Sequence, residues 1–154
     1  MKIRTIILSV MLFFVAGAMC LAADNPQMGT WKLNEAKSKL APGPKNTTVI
    51  YEAAGDQVKV TVEGVDAEGK PTHNEWTGKF DSKDYPVTGD PTSDTRSYKQ
   101  IDDHTLELTV KKDGKATVTG KVVVSADGKS RTVSTSGTDA KGSKVKNTSV
   151  YDKQ

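Results

Sequence analysis

From Gln57 to Glu63 the chain alternates strictly, with Val58, Val60 and Val62 in one phase and Lys59, Thr61 and Glu63 in the other. Period-two alternation marks a strand that buries one face. The same period returns at 105–110, where Leu106, Leu108 and Val110 alternate with Thr105, Glu107 and Thr109. In the run 72–80, Trp76, Gly78 and Phe80 share a phase opposite His73, Glu75, Thr77 and Lys79. Further strands are predicted at 29–33, 47–53, 94–101, 115–125, 130–137 and 144–152, with a short one at 84–88. Gly55-Asp56, Asp66 to Gly69, Asp102-Asp103, Asp113-Gly114, Asp127-Gly128 and Asp139 to Gly142 supply the turns between them. Asn34 to Leu40 has room for one or two helical turns capped by Asn34, and Pro42-Gly43-Pro44 stops anything helical. No helix is long enough to cross over a sheet, so neighbouring strands should pair antiparallel. The prediction is an all-β chain of nine or ten strands in an antiparallel, up-and-down meander, which can close into a β-barrel or pack as a sandwich. Closure is favoured because it removes exposed strand edges.

The N-terminus stands outside this pattern. Lys2 and Arg4 precede an almost wholly apolar run from Ile6 to Val15. Small residues follow, ending Leu21-Ala22-Ala23 before the first acid, Asp24. A charged start, a short apolar stretch and a small-residue end make the pattern of a signal peptide. Residues 1–23 are therefore expected to be removed, leaving 24–154 as a single domain exported to the periplasm or secreted. The sole cysteine, Cys20, falls in the leader. A lipidated cysteine would want a small residue before it, and Met19 is not small. The mature chain then has no thiol for a disulfide, a nucleophile or a metal.

Composition sharpens the class. After Ala23 there are 14 Val and 17 Thr against four Leu and two Ile, the bias of pleated, half-buried surfaces. Without the leader, 20 Lys+Arg face 19 acids and the charges are interspersed. No basic stripe with interleaved aromatics is visible, which argues against nucleic acid as a partner.

Gly29-Thr30-Trp31-Lys32-Leu33 resembles the G-x-W opening strand of the calycin superfamily, which includes the lipocalins and fatty-acid-binding proteins. Ser149-Val150-Tyr151-Asp152-Lys153 resembles the closing R-x-Y-E-K strand of the fatty-acid-binding proteins, after a similar Asp127-Gly128-Lys129 turn. The resemblance spans nearly all of the mature chain and implies a calycin-like barrel with Trp31 packed at its base. The overall pattern also resembles small exported bacterial proteins described as lipocalin-like, whose ligands are generally unassigned. Two departures bear on function. The segment 34–45 is too short for the family's helical lid. The family's inward arginine, two residues before the closing tyrosine, is Ser149 here; only Tyr151 carries over. A serine cannot make the charge-assisted pair that holds a carboxylate, so fatty-acid binding is not inherited, and a weakly held or neutral ligand is expected.

The candidate ligand-binding residues are Trp76, Phe80, Arg96, Tyr98 and Tyr151. Trp76 and Phe80 share a phase; such an aromatic pair is more often core than binding wall. Arg96 and Tyr98 also share a phase. Either they form a solvated face beside Asp94 and Gln100, or they point inward and replace the missing arginine. Asn147, Ser149 and Tyr151 make the inner face of the last strand polar. The two histidines, His73 and His104, have no metal-ligand spacing, and no nucleophile-elbow pattern accompanies the serines. No catalytic residue, metal or cofactor is implied. The expected function is a monomeric barrel that binds a small apolar or amphipathic molecule, without stable membrane insertion after leader cleavage. The alternative is a packed, ligand-free barrel serving as a structural or protein-interaction module of the cell envelope. Cavity size separates them, because a ligand barrel should hold roughly 300 Å³ or more.

Overall fold

In a computed structural model the described residues, 25–138 and 142–154, form one closed antiparallel barrel of ten strands. The signal-peptide reading and its cleavage point at Asp24 lie outside the described residues. The strands are β1 (Gly29–Leu33), β2 (Lys45–Ala54), β3 (Gln57–Val65), β4 (Pro71–Gly78), β5 (Tyr85–Thr88), β6 (Thr95–Gln100), β7 (Thr105–Lys112), β8 (Lys115–Val124), β9 (Ser130–Thr138) and β10 (Lys144–Lys153). Each pairs with its sequence neighbour, and β1 closes the ring on β10 through Trp31 opposite Lys153 and Leu33 opposite Tyr151. The only helical element among the described residues is one 3₁₀ turn, Glu35–Lys37, whose cap Asn34 accepts from the Lys37 N–H through its side chain. This is the lower end of the one or two turns read from the sequence; the chain turns extended again at Ser38, and Lys39 pairs with Thr148 of β10.

Meander topology gives the barrel two different ends. Even-numbered strands begin at one end and odd-numbered strands at the other. The end where β1 begins is plugged. Trp31 is fully buried there and donates Nε1–H to the Gln27 carbonyl at 2.9 Å, while the buried Gln27 side chain donates to the His104 carbonyl at 3.0 Å. Above this plug lies an aromatic cluster. Trp76 and Phe80 stack at 6.4 Å between centroids, and Tyr98 meets Trp76 edge-on at 4.9 Å. Phe80 sits beyond the end of β4, so its place beside Trp76 comes from the connection to β5 and not from strand alternation.

Val60, Val62 and Leu106 are buried in the core; Val58 and Leu108 are partly buried against it. On the outer phase of β3 and β4, Lys59 pairs with Glu75 at 2.7 Å and His73 with Glu63 at 2.7 Å. Val60→Ala should therefore cost about 2–3 kcal/mol in a urea titration, while Lys59→Ala loses only a solvent-screened pair and should stay near neutral. Leu108 borders open space, so Leu108→Ala should cost less than Leu106→Ala.

The Glu63 hydrogen bond holds the His73 pKa above its ordinary 6.5. The stabilisation from that pair is complete below about pH 6.5 and is lost as pH rises through the raised value. Thermal unfolding across about pH 5 to 8 should reveal this small loss, and His73→Gln should flatten it.

Candidate ligand pocket

The inner phases of the strands converge on a cavity of about 240 Å³ in the half of the barrel away from the plug. It opens at the end where β2, β4, β6, β8 and β10 begin. Asn46, Asn74, Asp90 and Asn147 stand toward that mouth, with Leu40 and Pro44 of the β1–β2 connection beside it. This connection is tied to β10 where the Ala41 N–H donates to Asn147 Oδ1 at 2.7 Å. The apolar part of the wall is mainly valine, including Val49 and Val62 on one side and Val118, Val122 and Val133 on the other.

Three of the five predicted site residues, Arg96, Tyr98 and Tyr151, line this cavity. Trp76 and Phe80 do not border it; they fill the barrel beneath, with Tyr98 between Trp76 and the open space. Trp76 Nε1–H is spent on the Arg96 carbonyl at 2.8 Å. Of the two environments considered for Arg96, the structure selects the interior: the side chain is 8% exposed. Its Nη2 donates to Asn74 Oδ1 at 3.1 Å, and its Nε has no acceptor among the described residues. Tyr151 is buried and donates its hydroxyl to the Asn46 carbonyl at 3.2 Å.

Two lining residues escaped the sequence reading. Arg131 is 2% exposed on β9, directly opposite Tyr151 of β10. Its guanidinium carbon lies 5.0 Å from the ring centroids of each of Trp31, Tyr51 and Tyr151. An arginine thus stands beside Tyr151, supplied by β9 and not by the strand that carries Tyr151. The phase of Val133, two residues on, was the available signal. Tyr51 shares the phase of Val49 and places its hydroxyl 3.5 Å from that of Tyr98. Burial and the neighbouring Tyr98 push its pKa far up, so the hydroxyl stays protonated and can donate. Burial likewise raises the Tyr151 pKa. Half-buried Asp90 goes the other way. Desolvation alone would raise its pKa, but bonds from Ser93 and Thr92 and the nearby Arg96 charge bring it below the usual value.

Among the described residues no group of three His, Cys, Asp or Glu is placed to hold a metal ion. His73 is exposed on the outer wall, and His104 uses its backbone carbonyl to anchor Gln27.

No family model matches the sequence, and a search of curated proteins finds no match. Similar folds occur among solved structures of designed proteins. The structure of EF1p2_mFAP2b bound to DFHBI aligns with a TM-score of 0.52 at 9% identity, over 86% of this chain and 98% of that one. A redesigned β-barrel, mFAP1, bound to DFHBI gives 0.48 at 15% identity, over 86% and 99%. A de novo designed fluorescence-activating β-barrel gives 0.44 at 15% identity, over 88% and 100%. At these identities the likeness of the first speaks for the barrel fold alone.

Proposed function

We propose that this chain is an exported barrel that binds a small molecule and carries out no chemistry on it. The observation that supports this reading is the cavity itself. It is a recess of about 240 Å³ with valine walls, hydrogen-bonding groups at its mouth and buried arginines at two depths. A barrel built only for rigidity would fill that space with side chains, as this one does around Trp31 and Trp76, because close packing is worth more than a void. The volume falls below the roughly 300 Å³ by which a ligand barrel was to be told from a packed one, which counts toward the second reading; on the small-molecule reading it restricts the ligand to a compact one. A packed interaction module is the second reading, favoured by the aromatic filling of the plugged half.

Tryptophan emission tests the choice, because Trp76 touches Tyr98 and Tyr98 touches the cavity. Titration with a panel of aromatic acids, fatty acids and retinoids should give a saturable change with at least one compact member. Tyr151→Phe should weaken that response, and Trp76→Leu should remove most of its amplitude. Silence across the whole panel would favour the packed module. Export is tested separately: N-terminal sequencing of protein recovered outside the cytoplasm should begin at or within a residue or two of Asp24. Intact Met1 or lipidated Cys20 would overturn that part.

A further inference from the structure

We infer that the ligand is a compact monocarboxylate with a second polar group at its far end, its acid seated at Arg131 and its polar end at the Arg96–Asn74 mouth. This rests on the small-molecule reading above and names the chemistry of that same cavity.

The argument begins with Arg131. Arginine is seldom buried without a partner, yet here no Asp or Glu pairs with it among the described residues. The guanidinium carbon lies 5.0 Å from three aromatic ring centroids, whose π faces stabilise its charge. None of the three rings brings the carboxylate that would neutralise it. Nε and Nη1 are both buried without an acceptor, and an unmet charged donor is among the costlier defects a core can hold. The residue borders the cavity, so a carboxylate seated there would offset its unpaired charge. Tyr51 and Tyr98, both lining the same space, add two hydroxyls that face each other at 3.5 Å.

Charge sets the number of acids. The charged lining residues are Lys45, Asp90, Arg96 and Arg131. Lys45 is paired with Glu35 at 2.8 Å. The Asp90 carboxylate accepts from Thr92 and Ser93 at 2.7–2.8 Å and offsets one arginine at longer range. One positive charge is left, which a monoanion neutralises.

Size and polarity set the rest. At ~30 Å³ per water-sized group, 240 Å³ admits a ligand on the order of ten non-hydrogen atoms, which is too small for a long alkyl chain. Arg131 is the second residue of β9 and Arg96 the second of β6. Because the two strands start at opposite ends of the barrel, the arginines sit at opposite depths. The Arg96 Nε also lacks an acceptor, and Asn46 and Asn147 stand near the mouth with Asn74. Asn74 accepts from Arg96 and Asn147 from Ala41, but a purely apolar tail would offer nothing to the remaining polar atoms of these amides. A hydroxyl there would serve them, and the valine walls suit a single ring between the two ends.

The test is isothermal titration of the mature protein with 4-hydroxybenzoate, benzoate, 4-hydroxybenzyl alcohol and palmitate. 4-Hydroxybenzoate should bind tightest, about tenfold or more over the alcohol, as expected of a charge-assisted bond; benzoate should fall between, and palmitate should not saturate. Arg131→Gln should erase the preference for acid over alcohol while the alcohol still binds, with circular dichroism checking the fold; Arg131→Lys should keep part of it. Equal affinity for acid and alcohol in the unaltered protein would overturn the head-group assignment and leave the small-molecule reading standing. Benzoate matching 4-hydroxybenzoate would overturn the polar far end. Saturable palmitate binding without the compact acids would overturn the size limit. No heat from any of the four would overturn both this inference and the reading it rests on.

Discussion

Trp31→Ala should destabilise the barrel by about 3–5 kcal/mol, a large share of the roughly 5–15 kcal/mol that holds a domain of this kind folded. The ring is fully buried at the plugged end. Its Nε1–H bond to the Gln27 carbonyl ties the entering chain to the barrel, and Gln27 in turn ties that chain to the β7 side through the His104 carbonyl. The same ring lies 5.0 Å from the Arg131 guanidinium carbon and carries Lys153 Nζ at 5.1 Å from its centroid. Truncation therefore opens a cavity, frees a buried carbonyl and strips one aromatic face from a buried cation. Urea unfolding followed by far-ultraviolet circular dichroism measures the loss. Trp31→Phe, which restores the ring face but not the N–H, should recover most of it. A change below about 1 kcal/mol in the alanine variant would mean that the plug is dispensable.

Gly120→Val should cost about 3 kcal/mol, at the upper end for overpacked positions. Gly120 occupies an inner-phase position of β8, between Leu108 of β7 and Thr135 of β9. A Cβ there would meet the Ser134 carbonyl oxygen at 2.6 Å and Thr135 Cγ2 at 2.9 Å. The first of these is backbone and cannot swing away, so β8 and β9 would have to part. Glycine at such a point lets a sheet bend tightly enough to close. Thr119→Val, one residue away and exposed on the outer wall, should leave the urea midpoint nearly unchanged. Equal effects at the two positions would refute the close approach.

Strand identity was legible wherever a strand buries one face and wets the other. Val60 against Lys59 and Leu106 against Glu107 report the sheet directly, because alternation is a property of the backbone. The turns were legible for a related reason, since Asp-Gly pairs carry local conformational preferences that need no tertiary partner. The fate of Arg96 was not. Its phase was readable, but whether that phase faced water or the interior depended on where the ring of strands closed. Phe80 does stand beside Trp76, as the shared phase suggested, but neither borders the cavity, because phase does not encode depth along the barrel.

The amino-acid sequence by itself therefore determined an antiparallel all-β meander, which follows from period-two patterning and short-range turn chemistry acting within a few residues. The packed place of Trp31 and the inner phase of Tyr151 were implied by the resemblance of the two end strands. Only the tertiary structure decided that the barrel is half filled and half open, and that Arg131 stands beside Tyr151. Both depend on the register between β9 and β10 and on side chains that meet across the barrel from strands distant in sequence. No local pattern encodes how much volume those side chains leave unfilled, and that remainder, with its two buried arginines, is the candidate site.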